Sequence, residues 1–165
     1  IAIGAQHATK IYPPELTAQL CDILAQPIVL LGGPGDRERA GAILRQTKNK
    51  LVYNACGKFN IGQSACLVKN AQAIISNDTG LMHIAAAFKK PIVSIWGNTI
   101  PEFGMYPYYG DTKVPNALLQ VDGLSCRPCS KLGHQQCPKQ HFKCMLDIPP
   151  ETVAEAVSAI TTAAP

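Results

Sequence analysis

Residues 76–97, SNDTGLMHIAAAFKKPIVSIWG, decide the fold class of this chain. An apolar strand ends at Ser76, a polar turn follows over 77–80, and a short helix then leads to a second strand at 91–96. The apolar stripe that defines the helix consists of Leu81, Ile84, Ala85 and Phe88. A strand, a helix and a strand in this order predict one unit of a parallel α/β sheet.

The polar residues at the start of this helix admit two interpretations. In the first, Asp78 or Thr79 caps the helix, Gly80 eases the turn and His83 lies on the surface. In the second, the free N–H groups of the first turn bind an anion, to which Thr79 adds a hydroxyl and a protonated His83 adds positive charge. The residues of this stretch alone leave both interpretations open.

The same alternation extends over most of the chain. Short apolar runs rich in Ile and Val predict strands at 1–4, 27–32, 51–55, 73–76, 91–96 and 117–121. Helical patterns occupy residues 15–25, 36–47, 80–88 and 149–160. We therefore predict an α/β fold with a parallel sheet of about six strands and flanking helices.

Polar and glycine-rich segments follow the first three predicted strands. His7, Thr9 and Lys10 come after the first strand, the turn LGGPGDRERA after the second, and ACGKFN after the third. Because the carboxyl ends of parallel strands meet at one edge of a sheet, these segments predict a crevice for a nucleotide-type ligand. The dinucleotide fingerprint G-x-G-x-x-G does not follow the first strand, and no P-loop sequence occurs.

The composition excludes several classes of protein. With 165 residues, 47% of them hydrophobic and 16% charged, the chain is globular rather than disordered. No apolar run reaches the roughly 20 residues that a membrane-spanning helix needs. The net charge of +4 is scattered, which suits a small anionic ligand better than nucleic acid. No signal peptide is recognisable and the chain begins without Met, so we expect a piece of a longer protein.

Four of the seven cysteines, Cys126, Cys129, Cys137 and Cys144, lie in a lysine-rich segment at 123–147, here called the Cys-rich loop. Three states remain open for them: a zinc site, a disulfide, or reduced thiols packed in the loop. The other three cysteines lie in apolar or helical segments, which favours a reducing, cytoplasmic compartment. The cations of the loop fit either a solvated surface or contact with an anionic acceptor or membrane.

The run SNDTGLMHIAAAFKKPIVSIWGNTIP resembles the ADP-heptose:lipopolysaccharide heptosyltransferases, which form glycosyltransferase family 9. The segments GAQHATKIYP, LGGPGDRERA and CGKFNIGQSACLVKNA occur in the family's order, so the resemblance covers nearly the whole chain. The family has the GT-B architecture, in which two Rossmann-like domains face a cleft. The resemblance implies that residues 1–165 are the C-terminal, donor-binding domain, including the Cys-rich loop and a helix at 150–163, and that the N-terminal acceptor domain is absent.

The resemblance also implies which residues bind the donor. Asp78, Thr79, Gly80 and His83 match positions that hold its diphosphate and sugar, and Lys10 matches a lysine that contacts phosphate. The remaining matches are Thr9 near the phosphates, Asp36 (or Glu38) at the ribose, and Phe59 at the adenine.

The reaction implied by the resemblance is the transfer of heptose, with inversion, from ADP-heptose to the lipid A/core oligosaccharide of lipopolysaccharide. No cofactor is required, because basic side chains and a helix N-terminus stabilise the departing diphosphate. The family's catalytic base belongs to the N-terminal domain, so this chain alone is expected to bind donor weakly and without turnover. From the cysteines and the scattered charge we expect a cytoplasmic enzyme with no nucleic-acid partner, and peripheral contact with the inner membrane stays open.

Two other functions compete with this one. Another GT-B enzyme, such as a UDP-sugar epimerase, would use the same crevice with a different nucleotide. A non-catalytic zinc-binding or nucleic-acid-binding module could instead be built on the Cys-rich loop, although such a module would not need six strands alternating with helices.

Overall fold

Five strands and six α-helices make up residues 1–163, the part of the chain that is described by a computed structural model. The strands are β1 (Ile28–Leu30), β2 (Val52–Asn54), β3 (Ile74–Asn77), β4 (Ile92–Trp96) and β5 (Asn116–Gln120). The helices are α1 (Pro14–Leu24), α2 (Arg37–Gln46), α3 (Ile61–Asn70), α4 (Gly80–Ala87), α5 (Lys143–Leu146) and α6 (Pro150–Thr162). Residues 164 and 165, which the predicted domain 1–165 includes, lie outside the described residues.

All strand pairs are parallel, as the alternation of strands and helices predicts. β1 pairs with β2, while β3 pairs with β4 and β4 with β5. The segment at 1–4, predicted as a strand, makes only two single bridges, both from Ala2 and one to each half of the sheet. The amides of Ala2 and Ile3 donate to the carbonyls of Ile75 and Leu31, both at 2.9 Å. This segment therefore joins β1 to β3 without extending into a full strand.

The central strands β3 and β4 are buried because helices cover both faces of the sheet. Alternate residues of β4 point to opposite sides. α1 and α6 pack on the side of Val93 and Ile95, and α3 and α4 pack on the side of Ile92 and Trp96. Every residue of both strands is buried, which explains why they appear in the sequence as continuous apolar runs.

The helix ends show where the sequence pattern was informative. α3, which only the alternation implied, begins with a capping box: the Asn60 side chain accepts from the Gln63 amide at 2.9 Å, and the Gln63 side chain accepts from the Asn60 amide at 3.0 Å. α6 ends at Thr162, one residue before the predicted end, and α5 lies inside the Cys-rich loop, where no helix was predicted.

None of the helices in residues 1–163 combines the length and apolar character needed to cross a membrane.

Candidate functional site

Three segments of the chain meet around a cavity of about 230 Å³ at the carboxyl ends of the strands. The lining residues are Gln6, His7, Lys10, Asp78, Thr79, Gly80, His83 and Leu132. The first three follow the segment at 1–4, the next four follow β3, and Leu132 belongs to the Cys-rich loop. The parallel topology brings the first two segments together, because the segment at 1–4 lies beside β3.

A buried ion pair lies in the wall of this cavity. Lys10 Nζ is 2.6 Å from Asp78 Oδ2, and the two side chains are only 11% and 5% exposed. Thr99 Oγ1 donates to the same carboxylate oxygen at 3.0 Å. No donor among residues 1–163 reaches the other oxygen, Oδ1. Asp78 is thus held through Oδ2, and its other oxygen, Oδ1, remains free to accept a hydrogen bond.

The start of α4 distinguishes between capping and anion binding, the two interpretations of its polar residues. Thr79 occupies the N-cap position, but its side chain makes no capping hydrogen bond. Asp78 is engaged by Lys10 and Thr99 and does not cap the helix either. A β-carbon placed on Gly80 would meet nothing within 4 Å, so the first turn borders open space. The N–H groups of that turn therefore face the cavity without a side-chain cap.

Side chains behind the cavity hold the segment that carries Lys10. The Asn77 carboxamide accepts from the Tyr12 amide at 3.1 Å and donates to the Ala2 carbonyl at 3.4 Å. The Tyr12 hydroxyl donates to the Ile148 carbonyl at 2.8 Å, and burial raises the pKa of that phenol well above its ordinary value. These contacts fix the backbone on either side of Lys10 against the end of β3.

The Cys-rich loop closes one side of the cavity. The Thr9 amide donates to the His134 carbonyl at 3.1 Å, and the His134 amide donates to Thr9 Oγ1 at 2.8 Å. Gly133 has φ +127, and a β-carbon there would overlap the His7 side chain. Thr9 is therefore buried and used to attach this loop, and it does not line the cavity.

The glycine-rich turn after β1 encloses the Asp36 carboxylate. Asp36 Oδ2 accepts from the Gly33 amide at 2.8 Å, and its other oxygen pairs with Arg39. A β-carbon at Gly4 or Gly32 would overlap this carboxylate, so glycine at both positions leaves room for it. Asp36 thus holds the turn together, and it lies outside the cavity lining.

Phe59 lies in the loop after β2 and is 39% exposed. Arg37 fixes this loop by donating to the Gly57 carbonyl at 2.7 Å, and Gly57 adopts φ +66. Of the eight residues predicted to bind donor, the cavity brings together Lys10, Asp78, Thr79, Gly80 and His83. Thr9, Asp36 and Phe59 lie elsewhere along the same edge of the sheet.

A second cavity, of about 320 Å³, lies at the opposite edge. It is lined mainly by apolar residues between β1, β3 and α3, among them Ile28, Leu67 and Ile74. None of the side chains that line it is ionisable. The larger cavity therefore offers an anion no charged side chain, whereas the smaller one offers Lys10.

The four thiols of the Cys-rich loop are free. Burial raises the pKa of Cys144 to about 11. Burial also acts to raise the pKa of Cys137, but backbone amides of residues 139–142 outweigh it and lower that pKa. Cys126 Sγ lies 3.8 Å from His141 Nε2. Within residues 1–163 no group of three or more His, Cys, Asp or Glu side chains could hold a metal ion, so the zinc hypothesis gains no support.

The positions of two residues, one in the cavity wall and one at the end of β4, could not be found by reasoning from the sequence. Leu132 is 66% exposed and reaches the cavity only because Gly133 and His134 attach the Cys-rich loop to the segment at 6–9. Arg127 lies between two cysteines, and no pattern indicates that its guanidinium reaches the end of β4. Both depend on a chain path that has no local periodicity.

Comparisons with known proteins agree with this picture. A family model described as glycosyltransferase family 9 (heptosyltransferase) matches residues 1–139. The lipooligosaccharide heptosyltransferase 2 of Haemophilus influenzae is 28% identical over 164 residues, which cover 95% of this chain and 45% of that protein. The lipopolysaccharide heptosyltransferase 2 of Escherichia coli K12 is 29% identical over 149 residues, or 88% of this chain and 40% of that protein. This chain thus spans less than half the length of these relatives.

Solved structures share the fold. The Escherichia coli ADP-heptose lipopolysaccharide heptosyltransferase II has a TM-score of 0.78 at 25% identity, and the match covers 98% of this chain and 45% of that one. The Escherichia coli heptosyltransferase WaaC, solved with ADP, has a TM-score of 0.68 at 22% identity, covering 96% and 42%. The second likeness concerns the fold alone. The predicted Rossmann-like fold, a parallel sheet with flanking helices, is confirmed.

Proposed function

The chain belongs to glycosyltransferase family 9, and from this membership we propose that it is the C-terminal, donor-binding domain of an enzyme that transfers heptose from ADP-heptose to the lipopolysaccharide core. The observation that carries the proposal is the meeting of Lys10 with the uncapped start of α4 in one cavity. A cation and free backbone N–H groups are the elements with which proteins bind phosphate without a metal.

The diphosphate of the donor would lie against these two elements. Lys10 uses one of its three N–H donors on Asp78 and keeps the others for phosphate oxygens. The amides at Thr79 and Gly80 would bind the same group at the positive end of the helix dipole. As ADP leaves, negative charge grows on the diphosphate, and these fixed donors stabilise it in the transition state. The proposed reaction therefore takes the nucleotide sugar as substrate and needs no cofactor.

The sugar and the nucleoside would extend in opposite directions from the diphosphate. The free Oδ1 of Asp78 is suited to accept a hydrogen bond from a sugar hydroxyl, and His83 lies one turn into α4 beside it. The cavity of about 230 Å³ is smaller than the roughly 300–1,000 Å³ of complete ligand pockets. We place the nucleoside outside it, along the glycine-rich turn at Asp36 and the exposed ring of Phe59.

The acceptor would be the phosphorylated lipid A/core oligosaccharide, and the base that activates its hydroxyl would lie outside this chain. Lys131, Lys139 and Lys143 are exposed on the Cys-rich loop and form a cationic surface beside the cavity, suited to an anionic acceptor or membrane surface. All seven cysteines are free, which fits a reducing compartment such as the cytoplasm.

Nucleotide specificity tests the proposal directly. We expect this chain to bind ADP at least about 10-fold more tightly than UDP in calorimetry, a difference of about 1.4 kcal/mol. The amide resonances of Thr79 and Gly80 should shift on titration with ADP. Equal affinity for UDP would favour the epimerase-type alternative, and unmoved Thr79 and Gly80 resonances at saturating ADP would overturn the site.

A further inference from the structure

Three consecutive backbone carbonyls after β4 are held by residues of the Cys-rich loop. Arg127 donates from Nε to the Gly97 carbonyl at 2.6 Å and from Nη2 to the Thr99 carbonyl at 3.0 Å. The Cys129 amide donates to the carbonyl of Asn98, between them, at 3.0 Å. The loop at 97–99 cannot change its backbone conformation without breaking at least one of these bonds.

The remaining contacts of Arg127 attach its guanidinium to the end of β5. Nη1 donates to the Val121 carbonyl at 2.8 Å, and Nη2 also donates to Gln120 Oε1 at 3.1 Å. All of these acceptors are uncharged oxygens, and neither ion pair found in residues 1–163 includes Arg127. The guanidinium therefore bridges the ends of β4 and β5 in a fixed orientation, and within the described residues it forms no ion pair with a carboxylate.

The loop that Arg127 holds carries the hydroxyl that orients Asp78. Thr99 is completely buried, and its Oγ1 shares Asp78 Oδ2 with Lys10. Gly97 lets this loop lie close to the cavity segment, since a β-carbon there would lie 2.7 Å from the Thr9 carbonyl oxygen. A shift of this loop would lengthen the Thr99–Asp78 bond and free the carboxylate to turn.

Asn98 lies in the middle of the loop that these bonds restrain. Its side chain is 1% exposed, and neither Nδ2 nor Oδ1 has a hydrogen-bond partner in the described part of the chain. A buried amide without partners favours any rearrangement that exposes or pairs it. The bonds from Arg127 and Cys129 oppose such a rearrangement, because they bind the backbone on both sides of Asn98.

We propose that Arg127 is a positioning residue of the donor site: through the loop at 97–99 it sets Thr99 against Asp78, and so fixes the Lys10 ammonium where the donor's diphosphate binds. This inference rests on the proposed function. It differs from a purely structural role for Arg127, which would stabilise the Cys-rich loop and have no selective effect on phosphate binding.

Variants of the two residues, measured singly and together, distinguish these roles. The set comprises Arg127→Gln, Arg127→Lys, Thr99→Val, Thr99→Ser and the double variant Arg127→Gln/Thr99→Val, with Arg45→Gln as the matched control on an exposed arginine of α2. Calorimetry gives the affinities for ADP and for adenosine, and thermal unfolding checks that each variant is folded. If Arg127→Gln does not fold, the variants Arg127→Lys, Thr99→Val and Thr99→Ser still test the proposal.

We expect Thr99→Val and Arg127→Gln each to weaken ADP about 5- to 10-fold, the effect of one hydrogen bond in a charged network, with adenosine affected less than 2-fold. Thr99→Ser should restore ADP affinity, because it keeps the hydroxyl. Arg127→Lys should fall between, because one ammonium cannot span both carbonyls. The double variant should be no weaker than the worse single variant, because both changes act through the same contact.

Additive losses in the double variant, or equal losses for ADP and adenosine, would overturn the positioning role. Unchanged ADP affinity in Arg127→Gln and Thr99→Val would do the same, and the proposed function would stand. If the unaltered chain itself failed to bind ADP, the proposed function would fall, and this inference with it.

Discussion

Replacing Lys10 by alanine should weaken ADP binding about 10- to 100-fold, the range for losing a charge-assisted hydrogen bond worth about 1.5–3 kcal/mol. Two changes act in the same direction. The variant loses the cation that lines the cavity, and it leaves the Asp78 carboxylate, now 2.6 Å from Lys10 Nζ, facing the diphosphate without its partner. Adenosine has no diphosphate, so its affinity should change little.

Calorimetric titration with ADP and with adenosine measures the two effects separately. Lys50→Ala is the matched control, because Lys50 is exposed and precedes β2 at the opposite edge of the sheet. ADP and adenosine should each bind the control with the same affinity as they bind the unaltered chain. Equal losses of ADP and adenosine in Lys10→Ala would remove Lys10 from the phosphate role.

Replacing Asp78 by alanine should lower the free energy of unfolding by about 3 kcal/mol, the lower end of the range for breaking a buried ion pair. Lys10 would be left as a charge with only 11% of its side chain exposed, and it can regain little hydration. Thr99 is completely buried and would also lose the acceptor of its hydroxyl. Together these losses make Asp78 more important for stability than an average polar residue near the surface.

The double variant Lys10→Ala/Asp78→Ala should be less destabilised than the sum of the single variants, by about 1–3 kcal/mol, because it leaves neither charge unpaired. Urea unfolding measures all three, with Asp111→Ala as a control on an exposed carboxylate that should change stability by less than about 0.5 kcal/mol. Additive single and double values would mean that the 2.6 Å contact does not persist in solution.

The strands of the sheet could be predicted because residues at buried positions are mostly apolar, and this pattern is visible in the sequence. β3 and β4 are covered on both faces, so every residue in them avoids strong charge, and the two runs were located almost to the residue. The segment at 1–4 has the same apolar character, yet it makes only single bridges at Ala2. Hydrophobicity indicates that a segment is buried, but the number of ladder partners depends on the neighbouring strands.

The candidate site was predictable where its residues belong to the stretches that follow adjacent segments of the sheet. Lys10 and Asp78 stand at carboxyl ends of adjacent segments, so the parallel topology alone brings them near each other. Asp36 stands at a similar end, but its carboxylate is enclosed by its own turn and by Arg39. The direction of a side chain at a strand end depends on packing between loops, which has no period in the sequence.

The α/β class, the parallel direction of the strands and the edge where polar groups gather can all be inferred from the amino-acid sequence, because each follows from periodicity and from short-range signals along the chain. The pairing of Asp78 with Lys10 in place of a cap on α4, the wall that the Cys-rich loop forms in the cavity, and the bonds from Arg127 to the loop at 97–99 depend on the folded chain. These contacts join residues 28 to 125 positions apart, and their energies depend on distance in space, which no local pattern encodes.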